Sequence, residues 1–232
     1  MSFRISAKFP IFYRARRLLF ALGVGGCDHE GVAHYFDESP ASDARRKTLR
    51  VTLADREVSV ETASGVFSPG HIDLGTRQLL RAASDLPEKG IFVDLGCGWG
   101  PIALDMALRR PAARVFAVDI NERALELTAA NAEKLGLSNV HPLPSEQALA
   151  DDHLKRIDVL RSNPPIRIGK KALHELLVAW LPRLAPDGLA ELVVAKNLGA
   201  DSLAAWIEKE LGMSCEKQSS RKGFRILAAT RR

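Results

Sequence analysis

The sequence predicts an α/β fold: a seven-stranded, mostly parallel sheet with helices on both faces, an antiparallel hairpin at its C-terminal edge, and a small β-hairpin region in front. Two observations carry this. From residue 88 onward, short apolar runs alternate with stretches of helical period, the rhythm of a parallel sheet covered on both sides. Ahead of it, Leu49, Val51, Leu53, Val58 and Val60 alternate with polar residues about a reversal near Ala54-Asp55, as a two-stranded hairpin requires.

Taken in order, residues 1–32 read as a basic N-terminal extension. Arg4, Lys8, Arg14, Arg16 and Arg17 account for the whole formal net charge of +5, so the remainder is formally neutral and net charge says nothing about what it binds. Local basic groups remain available, namely Arg45, Arg46, Lys47 and Arg50, and Arg167, Lys170 and Lys171. Leu18 to Val24 followed by Gly-Gly-Cys resembles a weak export signal, but the apolar run is short and Gly23 interrupts it. No stretch approaches the roughly 20 apolar residues of a membrane span, so a cytoplasmic location is expected. Cys27, Cys97 and Cys215 are odd in number and far apart, which predicts reduced thiols, no disulfide framework and no metal site.

Residues 33–232 read as one catalytic domain, with hairpin and lid region at 33–87 and the main sheet at 88–232. Turn-rich residues 65–75 lead into a helix ending near Leu86-Pro87. Strands are expected at 91–95, 114–119, 140–143, 157–161 and 189–195, with helices at 101–110, 122–135, 171–184 and 201–211. Leu173, Leu176, Leu177, Trp180 and Leu181 fall on one helical face and read as core. Strands near 214–217 and 224–229 have no helix between them and close the sheet as an antiparallel hairpin.

The chemistry begins where the first sheet strand runs into Asp94-Leu95-Gly96-Cys97-Gly98-Trp99-Gly100, because open α/β sheets bind ligands at the carboxyl ends of their strands. A dinucleotide loop of the G-x-G-x-x-G type would place a third glycine where Pro101 stands, which favours a ligand lacking a pyrophosphate. The second strand ends in Asp119, an acid that can accept hydrogen bonds from both hydroxyls of a ribose, and Asn121 reads as a helix N-cap. The glycine loop followed by the strand-end Val118-Asp119-Ile120-Asn121 resembles the Rossmann-like class I S-adenosylmethionine (AdoMet) methyltransferases. That resemblance implies a cofactor site of Asp94, Gly96, Cys97, Gly98, Gly100, Asp119, Ile120 and Asn163. Ser145 or Glu146, after the third strand, would meet the adenine amine.

The fourth strand delivers Asn163-Pro164-Pro165-Ile166 beside that loop. Two prolines fix φ and remove backbone donors, so the loop presents carbonyl oxygens. The lone pair of an amide or aryl amine nitrogen is delocalised, and two acceptors on its N–H bonds would aim that lone pair at a methyl donor. Asn163 and Pro164 could supply them without a strong base. The tetrapeptide resembles the N-P-P motif of amino-methylating enzymes, with Ile166 where many members carry an aromatic residue that stacks on the target.

Together with His34-Tyr35-Phe36, Pro40, Gly65-Val66-Phe67-Ser68, Asp73, Gly75-Thr76 and Gly169-Lys170, these motifs resemble the small-domain methyltransferases related to the 16S rRNA guanine-N2 enzymes, in a short single-domain form. The resemblance implies catalysis by Asn163, Pro164 and Pro165, and a lid of Phe67, Ser68 and Asp73. Ile166, Arg167, Lys170 and Lys196 would lie on the substrate side, the last three meeting RNA phosphates. The implied activity is N2-methylation of a guanine in ribosomal RNA, with the RNA or the small ribosomal subunit as partner. The alternatives are methylation of a protein glutamine or another amine, and a non-catalytic adenosine- or RNA-binding protein.

Overall fold

A computed structural model describes residues 46–165 and 168–232. The N-terminal extension, His34-Tyr35-Phe36, Pro40, Ile166 and Arg167 lie outside the described residues.

The hairpin forms as its alternation predicts. Strands β1 (Arg46–Leu53) and β2 (Arg56–Ala63) pair antiparallel, setting Leu49 opposite Val60 and Val51 opposite Val58. Ala54 (φ 47°) and Asp55 (φ 60°) both take positive φ, the backbone of a two-residue turn whose twist matches the strands. Neither residue is glycine, and the turn is held from outside. The Asp105 carboxylate accepts from the Ala54 N–H at 2.6 Å, and Arg109 pairs with Asp55 at 3.0 Å.

Behind the hairpin come α1 (Leu74–Ala82), β3 (Ile91–Leu95), α2 (Pro101–Arg109), β4 (Arg114–Asp119), α3 (Glu122–Lys134), β5 (Val140–Pro144), α4 (Ser145–Ala150), β6 (Ile157–Ser162), α5 (Lys170–Trp180), β7 (Leu184–Ala195), α6 (Ala200–Leu211), β8 (Ser214–Arg221) and β9 (Phe224–Thr230). The seven-stranded sheet runs β5-β4-β3-β6-β7-β9-β8, parallel through β7 and antiparallel where β9 joins. Alternation within each strand divides the core. Phe92, Val115 and Ala117 face the hairpin, α1, α2 and α3, while Val93, Leu95, Phe116 and Val118 face α5 and α6. Leu173, Leu177, Trp180 and Leu181 are buried, as their spacing predicts.

Several boundaries differ from the expected ones. α1 stops at Ala82 rather than near Leu86, because the Ser84 N–H and carbonyl are both taken by the buried pair Glu191 and Arg161, at 2.6 Å each. α5 ends at Trp180 in a 3-10 turn at Leu181–Arg183, where Pro182 lacks the N–H an α-helix would use. β7 starts at Leu184, five residues early, through Gly188, where a Cβ would lie 2.5 Å from the Ile157 carbonyl oxygen. Ser145 opens the short, unexpected helix α4. Among the described residues no helix is long and apolar enough to cross a membrane, and no group of three or more His, Cys, Asp or Glu is arranged to hold a metal.

Candidate active site

The site is built where β3, β4 and β6 end together. The Gly96 and Cys97 N–H groups donate to the Val118 carbonyl at 2.8 and 3.1 Å, and the Ser162 hydroxyl donates to the Leu95 carbonyl at 2.6 Å. These bonds lock the glycine loop to β4 on one side and bring Asn163, one residue beyond Ser162, against it on the other.

Two glycines explain the loop. At Gly96 (φ 79°) an added Cβ would meet nothing within 4 Å, so the backbone there borders open space that a ligand can fill. At Gly100 (φ 92°) a Cβ would lie 2.9 Å from Thr128, so α2 can start there only without a side chain. The Thr128 hydroxyl donates to the Gly98 carbonyl at 3.1 Å. Asn131 accepts from the Glu61 N–H at 2.6 Å and donates to the Glu61 and Trp99 carbonyls at 2.9 and 3.0 Å, so one side chain ties the front hairpin to the loop.

The two acids sit as a cationic nucleoside derivative would require. Asp119 accepts from the Gly98 N–H through one oxygen and from the Asn121 N–H through the other, both at 3.0 Å, which leaves lone pairs for ribose hydroxyls. Burial raises its pKa, opposed by those backbone bonds. Asp94 is fully buried at the foot of the loop. One oxygen accepts from the Ala103 N–H at 2.9 Å, and Oδ1 has no partner among the described residues. Burial, reinforced by the Asp119 charge and opposed by the Ala103 bond, pushes its pKa up to about 8. An orphaned buried acceptor beside an open glycine cradle fits the ammonium end of AdoMet. Cys97 contributes backbone only: its side chain is buried against Thr128 and the Gly98 carbonyl, and burial drives its thiol well above the ordinary pKa.

Asn163 is held from across the cleft by α1. Asp73 caps that helix, accepting from the Gly75 and Thr76 N–H groups at 2.7 and 3.2 Å. The same Asp73 oxygen accepts from Asn163 Nδ2 at 2.9 Å, and the Thr76 hydroxyl accepts from it at 3.1 Å. Both amide protons are thus engaged, and the amide is fixed so that Oδ1 is left as an acceptor. Gly75 permits the approach, since a Cβ there would lie 2.9 Å from Asp73 Oδ2 and 3.0 Å from Phe224.

Phe67, Ser68, Asp73, Gly96, Cys97, Gly98 and Asn163 line one cleft together, joined by Thr76, Trp99, Pro101 and Ile102. Phe67 is 39% exposed and Ser68 takes φ 53°. Pro164 is buried and Pro165 half-buried, its carbonyl accepting from the Ile168 N–H at 3.1 Å. Gly100, Ile120, Ser145, Lys170 and Lys196 stand outside that lining: Gly100 caps α2, Ile120 is exposed after β4, Ser145 opens α4, Lys170 opens α5, and Lys196 follows β7. Thr76 was missed as a site residue. Its place in the Gly75-Thr76 pair of the resemblance, three residues after the N-cap aspartate, was the available signal.

The family described as methyltransferase small domain matches residues 57–228. A Bacillus subtilis protein, the uncharacterized protein YbxB, is 32% identical over 196 residues, covering 84% of this chain and 97% of the relative. The ribosomal RNA small subunit methyltransferase C of Pseudomonas aeruginosa is 31% identical over 200 residues, covering 83% of this chain but only 57% of the relative, so the chain spans little more than half the length of such enzymes. Among solved structures, a T. thermophilus 16S rRNA N2 methyltransferase in complex with AdoMet and guanosine aligns with TM-score 0.70 at 23% identity, over 83% of this chain and 52% of that one, a likeness of fold. The chain belongs to the methyltransferase small domain family and, with it, to the S-adenosylmethionine-dependent methyltransferases.

Proposed function

We propose that this chain methylates the exocyclic N2 amine of a guanine in 16S rRNA, acting in the cytoplasm on the RNA or the small ribosomal subunit. The observation that carries the reading is the tethered Asn163 amide, whose two protons are taken by Asp73 and Thr76. Its Oδ1 and the Pro164 carbonyl accept the two N–H bonds of the target amine and turn its lone pair towards the cofactor. AdoMet, when bound, supplies an electrophilic methyl on a sulfonium. As the new N–C bond forms and the C–S bond breaks, positive charge grows on nitrogen, and the same two acceptors stabilise it. The methylated nitrogen is then a strong acid, so it releases its proton to water. The related rRNA methyltransferases supply the substrate class, and the Asp73 oxygen nearest Asn163 already accepts from Gly75, Thr76 and Asn163, which suits a holding role and an aryl amine target that needs no strong base.

The test is nucleoside mass spectrometry of small-subunit rRNA from cells with and without the gene, complemented by wild type or Asn163→Ala. Loss of N2-methylguanosine restored only by wild type is expected. An unchanged profile overturns the reading.

Asp94 makes cofactor binding pH-dependent. With its pKa at about 8, the free protein holds the carboxyl protonated near neutrality, whereas a cationic ligand favours the ionised form. Binding therefore releases a proton, and AdoMet affinity is expected to rise by up to about tenfold per pH unit between pH 6 and 8, then level off. Stability of the free protein runs the other way. Between the ordinary value of 3.8 and about 8 the folded state keeps a proton that the unfolded chain has lost, so this group's contribution falls as pH rises through that window. Titration calorimetry from pH 6 to 9 checks this, and Asp94→Asn should flatten both dependences.

A further inference from the structure

A second cavity, of about 540 Å³, opens beside the cleft, between the hairpin, residues 70–72, α1 and α2. The two share a wall: Phe67, Ser68 and Asp73 line the cleft, while Gly70, His71 and Ile72 of the same segment line the cavity. Its charges are unbalanced. Arg109 holds both acids of the lining, Asp105 and Asp55, at 3.0 Å each. Arg50 on β1 and Arg77 and Arg81 on α1 also line it, are exposed, and have no carboxylate partner among the described residues. Arg77 and Arg81 stand one helical turn apart on the same face, an arrangement of like charges that disfavours the helix alone.

We propose that this arginine-lined cavity binds phosphates of the RNA backbone flanking the base inserted in the cleft. The inference rests on the RNA reading and gives it a path. Guanidinium groups take phosphate oxygens two at a time. A base extruded into a pocket leaves its neighbouring phosphates at the mouth, where the shared segment 67–73 turns from one site to the other. Arg77 directly follows Thr76, so the helix that fixes the catalytic amide also presents two of the three cations.

The test compares three full-length proteins binding a fluorescein-labelled, guanine-containing single-stranded RNA across a NaCl series. They are wild type, the triple variant Arg50→Gln, Arg77→Gln, Arg81→Gln, and a charge-matched control, Lys89→Gln, Lys155→Gln, Lys209→Gln, whose exposed lysines line neither the cavity nor the cleft. The arginine variant is expected to bind at least about tenfold more weakly at 0.1 M salt, with the slope of log K against log salt shallower by about 2, near 0.7 for each lost phosphate contact. Its AdoMet affinity and thermal melt should match wild type, and the control should keep the wild-type slope. An unchanged slope in the arginine variant, or an equal loss in the control, overturns the cavity while rRNA methylation by wild type persists. A wild type that neither binds nor methylates rRNA overturns the RNA reading itself.

Discussion

Replacing Asn163 by alanine is expected to lower kcat for amine methylation by about 10²- to 10³-fold, the usual effect of removing one preorganised partner of developing charge. The same variant should change AdoMet affinity far less, because the cradle proposed for that ligand consists of Gly96, Gly98 and the two acids. Thr76→Val removes one of the two tethers on the amide and should cost about fivefold, the worth of an ordinary hydrogen bond. Asn163→Asp should fail to rescue, since it sets a second carboxylate against Asp73 in place of a donor. Single-turnover methylation with each variant checks this. A rise in KM with kcat intact would mean that the amide binds the target without acting in the transition state.

Glu191→Leu is expected to destabilise the fold by about 3–5 kcal/mol, because it leaves Arg161 charged and unpaired inside the sheet. The pair lies between β6 and β7 at 2.9 Å, with side chains 3% and 0% exposed. It also closes on both backbone groups of Ser84, at the exit of α1. The double variant Arg161→Met, Glu191→Leu removes both charges and should recover most of the loss in urea unfolding, save the two bonds to Ser84. Should the double variant be no more stable than the single, the penalty belongs to the freed Ser84 backbone rather than to the stranded guanidinium.

The strands, the hairpin and the glycine turn were legible because each is written in a local pattern: alternation about Ala54-Asp55, apolar runs at 91–95 and 114–119, and glycines clustered where the chain takes positive φ. The positions of Asp119 and Asn163 at strand ends on either side of the glycine turn were legible for the same reason. What was illegible depends on partners distant in sequence. Nothing around Ala82 marks the end of α1, because the residues that capture Ser84 are 77 and 107 positions away. The lone arginine and glutamate in apolar runs 157–162 and 189–195 were the readable trace of that pair. β8 extends to Arg221 through Lys217, Gln218, Ser219 and Ser220, an edge strand too polar to alternate. The Asn163 tether was hidden likewise, 87 and 90 positions from its acceptors.

Asn131 joins the front hairpin to the Trp99 carbonyl of the glycine turn, and the bond has a thermodynamic reach beyond geometry. A local opening that frees Glu61 from Asn131 also loosens the support of the turn, so hairpin and ligand loop behave as one cooperative unit in native-state fluctuations. Ligand bound at the turn is therefore expected to protect backbone amides of β2, by up to RT ln(1 + [L]/Kd), about 2.7 kcal/mol at a hundredfold excess over Kd, in hydrogen exchange with and without AdoMet. Occupancy of the cofactor site becomes readable in the exchange rates of a hairpin outside it.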